Sequence, residues 1–272
     1  MMRSLWSAAS GMISQQTAVD TIANNLANVN TTGYKNEKAE FKSLLYQTLQ
    51  TRTTTANGEE KPISAQVGLG TRVAAITSNF VQGPHLDSES YTAMAIDGDG
   101  FFAVRGADGN TYYTRNGDFK LSVGNDGNLT LVTSDGFPVL DSRGNAIEIP
   151  GGVNASKIQV TSEGAIGYLN AQNNFVDLNQ TIGLFQFNNP AGLEKMSNSL
   201  LNVTDASGQA LNEATTPNLV LSTVRQGYLE GSNVQVADEM VNLIVAQRAY
   251  EMNSKAIQAS DDMLSQANQL KR

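Results

Sequence analysis

The sequence predicts an α+β protein. Long N- and C-terminal helices pair in a coiled-coil-like domain, and the middle of the chain forms an antiparallel β-rich domain. Three observations predict it. Apolar residues recur at heptad spacing near the N-terminus, and they do so again near the C-terminus. Between the two, Asp-Gly and Asn-Gly pairs punctuate short runs of alternating polarity.

The N-terminal element comes first. Leu5, Ala9, Met12, Gln16, Val19, Ala23 and Leu26 step by four and three, and six of these seven are apolar. That stepping marks a heptad seam, which Ile13 and Ile22 widen. Ser4 is placed to cap the start. Asn30-Thr31-Thr32-Gly33 stops the helix, because Gly33 tolerates positive φ. A helix of this extent is about 35 Å long. Asn24, Asn25 and Asn28 crowd its last turns, although Asn competes for backbone groups inside a helix. Two readings of the cluster stand: a polar, fraying end, or amides that donate and accept across to neighbouring subunits.

Residues 34–70 connect helix to sheet. Glu37, Glu40, Phe41, Leu44, Leu45 and Gln47 read as a short amphipathic helix or an extended piece. Thr51 to Lys61 is polar without a period and reads as a mobile loop in the isolated chain.

Residues 71–228 carry the strand signals. Leu129/Leu131, Ile147/Ile149, Ile158/Val160 and Phe185/Phe187 alternate with period two. Asp97-Gly98, Asp108-Gly109, Asn116-Gly117, Asp126-Gly127 and Asp135-Gly136 are turn pairs of the kind that join antiparallel strands. Their spacing of about ten residues predicts a meander of short strands, sandwich- or barrel-like.

The C-terminal element repeats the design of the first. Ser232 and Gln235 fit a capping box. Leu243, Tyr250, Ile257 and Leu264 then recur every seven residues, with Ala249, Ala256, Met263 and Leu270 as a neighbouring stripe. A helix from Val234 to Leu270 is about 55 Å long. Two adjacent stripes make a face too broad for one partner helix, and uncovered apolar stripes mark interfaces. The chain therefore divides into residues 1–33 with 229–272 as a terminal helical assembly domain, 34–70 as connector, and 71–228 as the β-rich domain. The expected assembly residues are Leu5, Met12, Val19, Asn24, Asn25, Leu26, Asn28, Leu243, Tyr250, Ile257 and Leu264.

Composition narrows the function. The 272 residues are 40% hydrophobic, enough for a core, but only 16% charged. Such a weakly charged polar surface suits close contact with copies of itself. The net charge is −8 and the 18 basic residues are scattered. Nucleic acid and anionic lipid are therefore not expected partners, since both need a basic patch. No cysteine is present, which excludes disulfides and thiolate zinc sites. No apolar run is long enough to span a bilayer, and the first residues lack the continuous apolar stretch of a cleavable signal.

No residue pattern points to an enzyme, a metal or a cofactor. His85 is the only histidine and has no nucleophile motif beside it. Gly98-Asp99-Gly100-Phe101-Phe102-Ala103 matches a loose dinucleotide pattern, but Phe101, Phe102 and Val104 read as a strand where that motif needs a helix. Asp97-Gly98-Asp99 and Asn125-Asp126-Gly127-Asn128 lack the remaining ligands of a calcium loop.

The ends of the chain carry a family resemblance. Ser4-Leu5-Trp6, Gln15-Gln16 and Ile22-Ala23-Asn24-Asn25-Leu26-Ala27-Asn28-Val29 lead into Thr32-Gly33-Tyr34-Lys35 and Leu44-Leu45-Tyr46-Gln47. Gly227-Tyr228-Leu229-Glu230-Gly231-Ser232-Asn233-Val234 and Gln247-Arg248-Ala249-Tyr250-Glu251-Met252-Asn253-Ser254-Lys255-Ala256 follow at the other end. Gly100-Phe101-Phe102 and Tyr113-Thr114-Arg115-Asn116-Gly117 lie between. Together these resemble the bacterial flagellar rod and hook axial proteins over nearly the whole chain. The length is similar to the rod members rather than the hook members. Tyr46 to Gln66 falls where distal rod members carry an added stretch that stiffens the rod.

The resemblance implies a structural subunit of a tubular helical drive shaft. Terminal helices would form an inner layer around an export channel, with the β domain outside, transmitting motor torque to the hook. Tyr46, Gln47, Thr51, Asn57, Gly58 and Gln66 would belong to the stiffening segment. Implied partners are further copies of the chain, proximal rod proteins, the hook protein, the surrounding P and L rings and the type III export apparatus. The implied place is the rod of the basal body across the periplasm, reached without a cleavable signal. Alternatives are another axial member, proximal rod or hook, and a surface module whose β domain binds a ligand.

Overall fold

The computed structural model describes residues 2–50, 65–124, 127–170, 172 and 174–270. Thr51, Asn57 and Gly58 of the expected stiffening segment lie outside the described residues, as do Asn125 and Asp126. The chain forms two units. One comprises Met1–Ala27, Glu37–Ser78 and Gln235–Arg272, and the other Asn28–Asn36 and Asn79–Val234.

The first unit holds two helices and a ribbon. Helix α1 runs over Met2–Ala27 and helix α2 over Val236–Gln269. Neither contains proline, so nothing interrupts the backbone ladder. Ser4 lies inside α1 rather than capping it. Gln235 precedes α2 with an extended backbone and makes no side-chain cap. Asp238 and Glu239 in the first turn of α2 instead favour the positive end of the helix dipole.

Of the expected connector, the described residues are mostly strand, and the loop expected over Thr51 to Lys61 lies outside them. Glu37–Ser43 pairs antiparallel with Thr71–Ser78, and Tyr46–Gln50 pairs with Ala65–Gly68. The extended alternative for residues 37–47 is the one observed. It also moves a boundary: Thr71–Ser78, expected to open the β domain, belongs with the helices, while Asn28–Asn36 belongs with the β unit. Sequence alone missed this because alternating strands look alike whichever unit supplies their partner.

The second unit is built entirely of antiparallel pairs among its described residues. Its largest sheet has six strands, in the order Glu194–Lys195, Leu201–Asn202, Thr111–Thr114, Phe101–Arg105, Leu184–Gln186 and Leu211–Asn212. Smaller sheets surround it, so the outcome is a set of short sheets rather than one sandwich or barrel. The central strand explains the core. Phe102 and Val104 enter one apolar cluster with Phe119, Leu131, Ile147 and Ile166, while Phe101 and Ala103 enter a second with Tyr113, Leu140 and Phe187. Alternate side chains thus reach opposite faces, and both faces are covered. Aromatic rings meet edge-on, with Phe102–Phe119 centroids 5.0 Å apart and Phe101–Phe187 5.5 Å apart.

Most of the predicted turn glycines take positive φ, including Gly109 and Gly136. Gly117 does not. A Cβ there would lie 1.6 Å from the Met94 carbonyl oxygen, so this glycine serves close backbone approach rather than a turn. The Gly98–Ala103 segment enters a strand, not a helix, as its aromatic residues predict.

Candidate functional site

The helices α1 and α2 run antiparallel and meet along a row of small and polar residues. Ser4 Oγ lies 3.2 Å from Ser260 Oγ, a Cβ on Gly11 would lie 2.8 Å from Asn253 Nδ2, and Asn25 Nδ2 donates to Glu239 Oε2 at 3.4 Å. These contacts recur every seven residues on both helices. The same spacing sets Ala18 opposite Ala246, which is buried. Small side chains let the two backbones approach closely, and the polar pairs fix the register.

The predicted apolar rows flank this seam. Leu5, Met12, Val19 and Leu26 are half-buried, as are Leu243, Ile257 and Leu264, while Tyr250 is 43% exposed. A large side chain beside a seam of small ones is covered on one side only. Val19 and Tyr250, with Gln16, Gln247 and Glu251, line an open groove of about 370 Å³ on this flank. The second predicted stripe, on the other side of the seam row, is the more open of the two. Ala256, Met263 and Leu270 are exposed, and Ala249 is half-buried. The buried row of α2 is instead Glu239, Ala246 and Ser260.

The asparagine cluster divides. Asn25 is fully buried, and its amide works inside the subunit. Its Oδ1 accepts from the Glu37 backbone N–H at 2.9 Å and its Nδ2 donates to the Glu37 carbonyl at 2.8 Å. The side chain thereby acts as a strand partner and seats the ribbon on α1. Within the chain, the Asn25 amide therefore meets partners on the ribbon and on α2. Asn24 is exposed, with Nδ2 donating to Glu37 Oε2 at 3.3 Å, and Asn28 Oδ1 accepts from Thr31 Oγ1 at 3.0 Å. On the ribbon, Tyr46 is 61% exposed, and Gln47 and Gln66 are exposed beside it.

The β unit holds a second polar arrangement that sequence reasoning missed. Glu230 is buried between two cations, with Lys35 Nζ 2.6 Å from Oε1 and Arg115 Nη1 3.3 Å from Oε2. The Gly83 N–H donates to Oε1 at 3.0 Å. Lys35 also donates to the Val81 carbonyl at 2.9 Å, and Arg115 to the Gly98 carbonyl at 2.8 Å. The Arg115 guanidinium stands 4.9 Å over the Phe101 ring. Burial pushes the pKa of both cations down, and the Glu230 charge works against that shift.

Asn233 adds a neutral clasp to this collar. Its Oδ1 accepts from the Asn36 N–H at 2.7 Å, and its Nδ2 donates to the carbonyls of Asn79 and Val81 at 2.8 and 2.9 Å. Gly33, with φ +69°, donates to the Glu230 carbonyl at 2.8 Å, and a Cβ there would lie 2.7 Å from the Arg115 carbonyl carbon. The collar ties together the segments by which the chain enters and leaves the β unit. It also gives a physical reason for the motif runs around Gly33-Tyr34-Lys35, Arg115-Asn116-Gly117 and Glu230 to Asn233.

Among the described residues, no three His, Asp or Glu side chains group as metal ligands. The His85 ring meets the Gln82 amide at 3.1 Å. The Ser222 hydroxyl donates to Glu213 Oε1 at 2.8 Å and accepts from the Gly100 N–H, a structural rather than nucleophilic setting.

Three family descriptions match the chain. "Flagella basal body rod protein" matches residues 5–35, "Flagellar hook protein FlgE/F/G D1 domain" residues 95–168, and "Flagellar basal body rod FlgEFG protein C-terminal" residues 225–270. The chain is 46% identical over 275 residues to the flagellar basal-body rod protein FlgG of Borreliella burgdorferi, covering 100% of both chains. It is 37% identical over 272 residues to FlgG of Bacillus subtilis, again covering 100% of both. The similarity to the flagellar hook-basal body complex protein FlhP of the same bacterium is 31% over 280 residues, with the same coverage.

Proposed function

The chain belongs to the flagellar basal-body rod proteins, structural subunits rather than enzymes, and from that premise we propose how it assembles. Copies polymerise through α1 and α2, which act as a two-helix antiparallel coil, into the tubular distal rod. Its helices form the inner layer around the export channel and its β units the outer layer. Torque passes to the hook through many identical contacts. The observation that carries this reading is the half-covered flank of the helix pair. Rows of Leu, Met, Val, Ile and Tyr lie beside a seam too small to cover them. An interface repeated head to tail without closing makes a filament.

The neighbours that fit such a subunit are proximal rod proteins, the hook protein and the P and L rings. The type III apparatus would deliver it to the basal body. Tyr46, Gln47 and Gln66, together with Thr51, Asn57 and Gly58, are proposed to stiffen the shaft.

The test uses the full chain. Tyr250→Asp and Ile257→Asp place a charge on the flank, and burying it unpaired on assembly is costly. Sedimentation should show folded monomers that no longer polymerise, with unchanged circular dichroism. Polymers formed as by the unaltered chain would remove these rows from the interface.

A further inference from the structure

Helix α1 carries an exposed apolar ridge on another side. Trp6 is 72% exposed and Ile13 is 66% exposed, seven residues and about two turns apart. At about 100° per residue, this ridge lies roughly 120–140° around α1 from Val19. It cannot reach the groove lined by Val19 and Tyr250 within one subunit. Ridge and groove are therefore two different patches on one molecule, the geometry of a contact that propagates rather than closes.

We propose that the Trp6–Ile13 ridge of one copy seats in the groove between Val19 and Tyr250 of the next. The inference rests on the reading that the chain polymerises through its helical unit. Trp6 is the anchor: a large ring with few rotatable bonds, of the kind that dominates interface energies when a partner pocket desolvates it. The groove offers an aromatic wall in Tyr250 and an aliphatic one in Val19, with amides from Gln16 and Gln247 at its edge.

Charge fixes the orientation. Arg3 is exposed one turn before Trp6, and Glu251, whose Oε2 accepts from the exposed Arg248 at 2.8 Å, stands on the groove's rim. Because α2 runs antiparallel to α1, Glu251 lies toward the α1 N-terminus from Gln247. A copy docked parallel, with Trp6 in the groove, brings its Arg3 to Glu251. The reverse orientation would carry Arg3 away from it.

The chain has no cysteine, so single-cysteine variants report the contact directly. Full-length Arg3→Cys and Glu251→Cys chains are mixed, polymerised and oxidised. The expected product is a disulfide joining position 3 of one chain to position 251 of another, absent from unpolymerised mixtures. Trp6→Ala, at an exposed position, should leave monomer unfolding unchanged and slow polymerisation severely. Polymers without the mixed disulfide, or Trp6→Ala chains that polymerise at the unaltered rate, overturn the proposal while leaving helical assembly intact. Failure of the unaltered chain to polymerise removes the underlying reading and the proposal with it.

Discussion

The helical unit and the β unit bury opposite things. Where α1 meets α2, the buried positions of the seam are Asn25, Glu239, Ala246 and Ser260, with Gly11 half-buried among them, while Leu, Met, Val and Tyr wait half-covered beside it. The β unit encloses Phe101, Phe102, Phe119 and its aliphatic neighbours completely, and it pairs the buried Glu230 with Lys35 and Arg115. Charge divides the same way. Acidic and basic residues balance in the helical unit, so the net charge of −8 falls on the β unit. A unit that closes its own core needs no neighbour, whereas one with a bare apolar flank is completed by one. Neutrality lets helical units approach, and repulsion between β units opposes assembly.

The largest effect that would sharpen this comparison lies in the collar. Glu230→Ala leaves Lys35 and Arg115 buried without their counter-charge, and breaking such a pair costs about 3–5 kcal/mol. Thermal unfolding of the variant should show a clear fall in Tm. A Tm unchanged within about 2 °C would mean that the β unit does not depend on its ions.

A middle-sized effect belongs to the seam. Ala246→Leu puts a large side chain where the helices approach through small ones, and overpacking costs about 1–3 kcal/mol. Helical content should melt earlier in the variant, with the near-ultraviolet signal of the β aromatics unmoved. A variant as stable as the parent would show that the seam is looser than Gly11 and Ala246 imply.

The smallest effect is one of pH. Lys35 in the folded chain loses its proton below the ordinary value of 10.5, chiefly through burial. Between the lowered pKa and 10.5 the unfolded chain binds more protons, so stability attributable to Lys35 rises with pH there. Denaturant unfolding of the unaltered chain against Lys35→Met should show that gain across the window. A relative loss would contradict the burial argument.

The ends of the molecule were legible because large apolar residues at steps of three and four leave a strong trace. The seam itself was not, since Ser4, Gly11, Ala18 and Asn25 leave no hydrophobic signal while setting how close the helices come. The short strands of the β unit followed from period-two runs and turn glycines. The collar did not, because Lys35, Arg115 and Glu230 are far apart along the chain and charge scattered at that range has no period. Asn25 was visible as an anomaly, a poor helix former in a helix. Its role required the strand at Glu37, whose extended form was only one of two readings.

The central claim is that the half-covered rows of the helix pair are what copies bury on assembly. Hydroxyl-radical footprinting of monomer and polymer tests it most directly, read at Met12, Leu243, Tyr250 and Leu264. The account predicts that oxidation at these side chains falls strongly in the polymer, while Phe102, already enclosed, stays unreactive in both states. Polymers in which Met12 and Tyr250 remain as reactive as in the monomer would contradict it.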